Sequence, residues 1–119
     1  MQDYRRLKVW QKAHELALAV YEATARFPRE EVYALTSQIR RAAASVPSNI
    51  VEGCGRGSNA ELMRFLYIAL GSANEVEYQL LLARDLGFLQ PEAHDRLSAD
   101  AVEVKRMLSA LIVKLRASR

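Results

Sequence analysis

Cysteine and long apolar runs are scarce in this chain, and each scarcity excludes a class of protein. Cys54 is the only cysteine among 119 residues, so neither an intramolecular disulfide nor a cysteine-ligated zinc site is available. No apolar run approaches the roughly 20 residues that span a bilayer, and no charge-free stretch with a cleavage site follows the first residues. We therefore expect a cytoplasmic protein without membrane contact, structural metal or cofactor.

What the sequence does contain is helix-forming residues in abundance. Half of the positions are hydrophobic, and 17 basic against 14 acidic residues give a net charge of only +3. That composition is typical of one globular domain, which we expect to cover residues 1–119. So mild a charge does not by itself indicate a nucleic-acid-binding protein, because such proteins usually carry a clear basic run.

Apolar residues recur every three or four positions in four segments, which predicts four helices. The segments cover about residues 6–26, 31–56 and 58–86, and a fourth runs from Pro91 through Leu115. Short links favour antiparallel neighbours, so the predicted fold is all-α, an up-down-up-down four-helix bundle. Pro47 lies inside the second segment and predicts a kink there, the alternative being two shorter helices that meet at Pro47.

Glycine and serine mark the predicted helix ends. Ser58 and Glu61 have the spacing of a capping box, and Gly87 suits the left-handed residue that follows a helix. Gly71, within the third helix, is interpreted as a point of close packing. The glycines at 53, 55 and 57 lack the preceding strand and the Gly-Lys-Ser/Thr of a phosphate loop, so this cluster predicts an interhelical turn.

Residues suited to catalysis are isolated from one another. His14 and His94 lie on different predicted helices, and no partner base can be identified for Cys54. One enzymatic hypothesis stays open, a hydrolase or nuclease that uses Glu52 or Glu75 with Arg41, and it requires a concave pocket. We expect a protein that is not an enzyme and has no small-molecule substrate.

A polar stripe lies beside the apolar face of the second and third helices. On the second helix it comprises Gln38, Arg41, Ser45, Asn49 and Glu52, and on the third Glu61, Arg64, Ser72, Glu75 and Gln79. Antiparallel pairing could bring Arg41 to Glu75 and Glu52 to Arg64, which would form a hydrogen-bonded seam or a subunit contact. The alternative is a solvated face.

Basic residues gather at one predicted end of the bundle. The start of the first helix, the end of the second, the start of the third and the end of the fourth share this end, which carries Arg5, Arg6, Lys8, Lys12, Arg56, Arg64, Lys114, Arg116 and Arg119. Such a pole could bind the phosphates of RNA or DNA, or could serve only solubility and helix-end charge compensation. An exposed face with Tyr67 and Tyr78 would suit self-association.

The sequence resembles a known family through an ordered series of motifs. They are Leu7-x-Val9-Trp10-Gln11-x-Ala13, Tyr21, Phe27-Pro28, Leu35-Thr36-Ser37-Gln38-Ile39-Arg40-Arg41-Ala42-Ala43, Ser45-Val46-Pro47-Ser48-Asn49-Ile50-x-Glu52-Gly53, Arg56, Phe65-Leu66-x-Ile68-Ala69-x-Gly71-Ser72 and Glu75-x-Glu77. By these motifs the chain resembles the bacterial 23S rRNA-intervening-sequence proteins, and the match covers nearly all of it.

The resemblance implies a four-helix bundle that forms a homo-oligomer. The family is similar to the accessory variability determinant of diversity-generating retroelements, a ring-shaped homopentamer that binds nucleic acid and a reverse transcriptase. It implies a basic channel or face and RNA or another nucleic acid as a partner, but no known reaction. The polar positions of the family match Gln38, Arg41, Ser45, Asn49 and Glu52 here.

Overall fold

Four helices account for most of the chain. The computed structural model describes residues 2–118, and within them the helices are α1 (Lys8–Thr24), α2 (Leu35–Cys54), α3 (Asn59–Asp85) and α4 (Pro91–Ala117). Short 3-10 turns at Tyr4–Arg6 and Arg29–Glu31 precede α1 and α2, and residues 2–118 contain no strand. The predicted all-α four-helix fold is confirmed.

Each helix packs against its neighbours in the chain, and α4 closes the bundle by packing against α1. The order of contacts between α2 and α3 is inverted, because Ser45 meets Ser72 whereas Gly53 meets Phe65. The same inversion holds between α3 and α4, where Lys105 bonds Glu77 and the later Arg116 bonds the earlier Tyr67. Between α1 and α2, Tyr21 near the end of α1 meets Arg40 near the start of α2, whereas Trp10 near the start of α1 lines one groove with Val51 near the end of α2. Neighbouring helices therefore run in opposite directions, and α1 and α2 lie diagonally across from α3 and α4 respectively.

The second helix begins four residues later and ends two residues earlier than the apolar pattern predicts. The 3-10 turn at Arg29–Glu31 takes up the beginning of the predicted segment, and the Glu31 carboxylate then accepts a hydrogen bond from the backbone N–H of Leu35 at 3.3 Å. The Glu31 carboxylate therefore caps the start of α2, because the methyl side chain of Ala34 at the N-cap position cannot accept a hydrogen bond. Helix α2 continues through Pro47, so the alternative of two shorter helices is wrong; the kink stays a prediction.

Both ends of α3 are fixed by specific hydrogen bonds. Ser58 Oγ accepts from the Glu61 N–H at 3.2 Å, but the Glu61 carboxylate pairs with Arg64, so only half of the predicted capping box forms. At the other end Gly87 has φ +83°, and the N–H of Phe88 reaches the carbonyl of Ala83 at 2.9 Å. This is a Schellman motif, and it confirms the role predicted for Gly87.

The close approach of α2 to α3 occurs at Gly53. A methyl group placed there would lie 2.9 Å from Phe65 Cβ and 3.0 Å from Leu62 Cδ1, closer than side chains tolerate. Around Gly71, in contrast, no atom lies within 4 Å of such a methyl group. The interpretation of Gly71 as a packing point is therefore wrong, and Gly53 has that role.

The core runs along the bundle axis and is closed at one end by aromatic rings. Its fully buried large side chains come from all four helices: Leu16, Val20, Ile39, Val46, Ile50, Leu66, Val76, Leu80, Leu97, Val104 and Leu108. Phe27 and Phe88 pack at 5.8 Å between ring centres where the α1–α2 and α3–α4 connections meet. None of the helices within residues 2–118 is both long and apolar enough to cross a membrane.

Candidate functional site

One end of the bundle, which we call the basic pole, is formed where α2 passes into α3 and where the first and last described residues lie. The backbone N–H of Gln2 donates to the carbonyl of Cys54 at 3.4 Å, which holds the segment before α1 against the end of α2. From α4, the Arg116 guanidinium donates to the hydroxyl of Tyr67 on α3. These contacts hold the segment before α1 against the end of α2 and the end of α4 against α3.

Arg56 and Arg64 are held on the ring of Phe65. Their guanidinium carbons lie 5.0 and 4.5 Å from the ring centre. Arg56, in the turn after α2, also meets Glu52 at 3.3 Å, and Arg64 meets Glu61 on α3 at 3.0 Å. The hydrogen bond from Arg64 lowers the pKa of Glu61 and raises the pKa of Arg64. These two cations are therefore positioned but largely neutralised.

The uncompensated charge of the pole comes from the 3-10 turn before α1, from the start of α1 and from the end of α4. Within residues 2–118, no ion pair involves Arg6, Lys8 or Lys114, and all three side chains are exposed. Arg5 pairs with Asp3 at 3.5 Å.

Two predicted cations differ from the rest in position. The hydrogen bond with Arg106 is the main cause that lowers the pKa of Glu103 on α4, and the charge of Lys12 is a smaller one. Lys12 therefore lies further along α1 than the other cations, close to α4. Arg119 lies outside the described residues.

The polar stripe between α2 and α3 is present, but its predicted ion pairs are not formed. Arg41 donates to Ser37 at 3.4 Å and Glu75 accepts from Gln79 at 3.2 Å, each within its own helix. Because the i, i+4 partners are nearer than the facing helix, Glu52 likewise pairs with Arg56. Gln38 lies exposed at the end of the stripe.

The contact that does cross the stripe is made by small side chains. Ser45 Oγ and Ser72 Oγ lie 2.9 Å apart, and the Asn49 amide donates to the carbonyl and to Oγ of Ser45 at 2.8 and 2.9 Å. Gln79 is buried at 4% exposure, and its Oε1 has no hydrogen-bond partner. The stripe is thus a half-buried hydrogen-bonded line at Ser45, Asn49 and Ser72, and most of its other side chains are exposed, buried Gln79 being an exception.

A groove between α1 and α2 carries aromatic rings that the sequence reading did not connect. We call it the aromatic groove, and its rings are those of Tyr4, Trp10, His14, Tyr21 and Tyr33. Trp10 and His14 stack at 5.1 Å with only 4° between their planes, and Tyr4 meets Trp10 edge-on at 4.9 Å. The spacing of Trp10, His14 and Tyr21 at four and seven residues is the signal that could have placed them on one helix face.

The family of the chain follows from comparison with known proteins. A model of the family described as 23S rRNA-intervening sequence protein matches residues 5–110, almost the whole bundle. The chain belongs to this family. No curated protein matches it.

A solved relative has the same fold as this 23S rRNA-intervening sequence protein. It is a protein of unknown function from the S23 ribosomal protein family of Bacteroides thetaiotaomicron VPI-5482, determined by crystallography at 1.70 Å. The two share 28% sequence identity and superpose with a TM-score of 0.79, over 87% of this chain and 97% of that one. The likeness therefore covers most of the bundle.

The residues considered for catalysis in this family member lie apart from one another. Glu52 and Glu75 are exposed, and neither contacts Arg41. Burial raises the pKa of the Cys54 thiol, with the nearby carboxylate of Asp3 as a smaller cause, so the thiol is protonated at neutral pH. No group of three or more potential metal ligands occurs in the described part of the chain.

Proposed function

We propose that this 23S rRNA-intervening sequence protein is a non-catalytic, cytoplasmic homo-oligomeric scaffold that contacts structured RNA through its basic pole. The observation that carries the proposal is the charge at that pole. Arg6, Lys8 and Lys114 are exposed without an ion-pair partner in residues 2–118, while Arg56 and Arg64 are held in place by Phe65. Unpaired cations around a fixed pair can displace the counterions of several phosphates.

Self-association is proposed on the exposed apolar side of α3 and α4. Tyr67 and Tyr78 are 48% and 60% exposed. They lie on the same side of α3, because eleven residues make close to three full helical turns. Leu81 follows on that side, and α4 exposes Val102 and Val113. Exposed tyrosines and aliphatic side chains supply the apolar contact that a subunit interface needs. A pentameric ring is the assembly that the family resemblance implies.

The absence of catalysis in the proposal rests on the environment of the carboxylates. Glu52 is occupied by Arg56, and Glu75 accepts a hydrogen bond from Gln79. Both side chains are exposed, so solvent screens their charge and no neighbouring group activates them for acid–base chemistry.

The test of the RNA-binding role is a charge reversal at the pole. Arg5, Arg6, Lys114 and Arg116 changed together to Glu should weaken binding to a fragment of structured ribosomal RNA by about 100-fold or more at low salt, and flatten its salt dependence. The matched control reverses four arginines at the other end of the bundle, Arg26, Arg29, Arg84 and Arg96, with the same change in net charge. Fluorescence anisotropy with labelled RNA measures both variants.

The control decides between pole and net charge. Retained binding in the control and loss in the pole variant support the proposal, whereas an equal loss in both would mean that only net charge matters. If the unaltered protein fails to bind structured RNA at low salt, the RNA role is wrong. The alternative function, an accessory subunit that binds another protein, would then be favoured by the exposed apolar side of α3.

A further inference from the structure

The aromatic groove presents flat rings to solvent along one side of the bundle. Tyr33 is 93% exposed at one end of the groove, and Tyr4 and Trp10 lie at the end next to the basic pole. Trp10 and Tyr21 are eleven residues apart on α1, so the rings extend over about 16 Å. Trp10 and His14 already lie face to face there, with 4° between their ring planes.

Two neighbouring arginines give the groove its charge. Arg40 donates to Thr24 Oγ1 at 2.7 Å and to the carbonyl of Tyr21 at 3.0 Å, and its guanidinium lies 4.7 Å from the centre of the Tyr21 ring. Arg41 is exposed, and its one side-chain hydrogen bond is a long one of 3.4 Å to Ser37.

Neither arginine meets a carboxylate within residues 2–118, and no described residue that lines the groove is acidic. The groove thus combines rings with uncompensated positive charge.

We propose that the aromatic groove binds a single RNA strand, whose bases stack on the rings and whose phosphates meet Arg40 and Arg41. Alternation of aromatic faces and cations is what recognises unpaired nucleotides, because every base has a face to stack and every linkage has a charge to neutralise. A protein segment that is purely apolar would cover the rings but leave both guanidinium groups without an anion. Rings together with cations therefore favour RNA over an apolar peptide as the occupant.

This inference rests on the RNA-binding role proposed above but concerns a separate surface and a different form of RNA. The basic pole presents exposed cations to the phosphates of a folded RNA. The groove receives unpaired bases. A strand that leaves a folded RNA at the pole would enter the groove at Tyr4 and Trp10, which connects the two surfaces.

The experiment uses the full chain and a labelled single-stranded RNA of about eight nucleotides, within the usual range of site sizes. Tyr33→Ala with Arg41→Ala should weaken binding about tenfold or more, while the matched control Tyr33→Phe with Arg41→Lys keeps a ring and a cation and should bind within about threefold of the unaltered protein. Both positions are exposed, so the fold is retained. Trp10 is the only tryptophan, and its fluorescence should be quenched when a base stacks beside it.

Three outcomes would overturn the inference. The first is unchanged affinity of the Tyr33→Ala, Arg41→Ala variant for the single strand. The second is unchanged Trp10 fluorescence at saturating RNA. The third is a fall in solution mass of this variant by light scattering, which would make the groove a contact between copies of the chain. A failure of the proposal for the basic pole can be told apart from a failure of this one. If only the pole proposal is wrong, the pole variant still binds folded RNA, whereas the groove variant still loses binding to the single strand.

Discussion

Cys54 ends α2 beneath the segment before α1, and its position governs its chemistry. The residue is 3% exposed, and the carbonyl of Cys54 accepts the hydrogen bond from Gln2. Because burial raises the pKa of the thiol, the reactive thiolate is scarcer at pH 8 than in an unfolded chain. We expect iodoacetamide to alkylate Cys54 at least about tenfold more slowly in the folded protein than in urea, by mass spectrometry. Equal rates would mean that the segment before α1 does not shield the thiol.

Individual side-chain partners are also where the sequence predicts least. The stripe of Arg41, Ser45 and Glu75 can be read from spacing, because spacing fixes the helix face. Its partners cannot, since each long side chain chooses between a neighbour on its own helix and one across the interface. Ser45 and Ser72 are short, so they meet directly at 2.9 Å, while Arg41 turns back to Ser37.

At the scale of elements, the two helical glycines of α2 and α3 should respond in opposite directions to the same change. Gly53→Ala puts a methyl group 2.9 Å from Phe65 Cβ and should lower the free energy of unfolding by about 1–3 kcal/mol through overpacking. Gly71→Ala meets no atom within 4 Å and should raise it by about 0.5–1 kcal/mol through helix propensity. Urea denaturation measures both. Equal effects of the two changes would contradict the close contact at Gly53.

The four helices can be predicted from the sequence because the period of the apolar residues and several of the signals for helix ends indicate the same segments. Pro91 begins α4, Ser58 caps α3, and Gly87 follows α3 as predicted. The start of α2 cannot be predicted in this way, because the 3-10 turn at Arg29–Glu31 has the same polar composition as the first turn of a helix. The close helix contact was assigned to Gly71 because sequence gives no distance between helices.

At the scale of the whole molecule, the proposed assembly depends on a side of the bundle opposite the aromatic groove. Tyr78→Ser with Leu81→Ser removes two exposed side chains of α3 and should reduce the solution mass measured by light scattering toward that of one 13.4 kDa chain. Leu18→Ser with Val32→Ser is the matched control on α1 and before α2, and should leave the mass unchanged. An unaltered mass in the first variant would place the subunit contact elsewhere.

The even number of antiparallel helices has a consequence for anything joined to the chain. Gln2 contacts Cys54 and Arg116 contacts Tyr67, so both described ends emerge at the basic pole. A domain or tag fused at either end would stand beside the surface proposed for RNA and compete with it for space. The longest dimension of the bundle is 46 Å, and the turn at Gly87 lies at the end opposite the basic pole. A fluorophore or an inserted peptide there would leave the basic pole unobstructed.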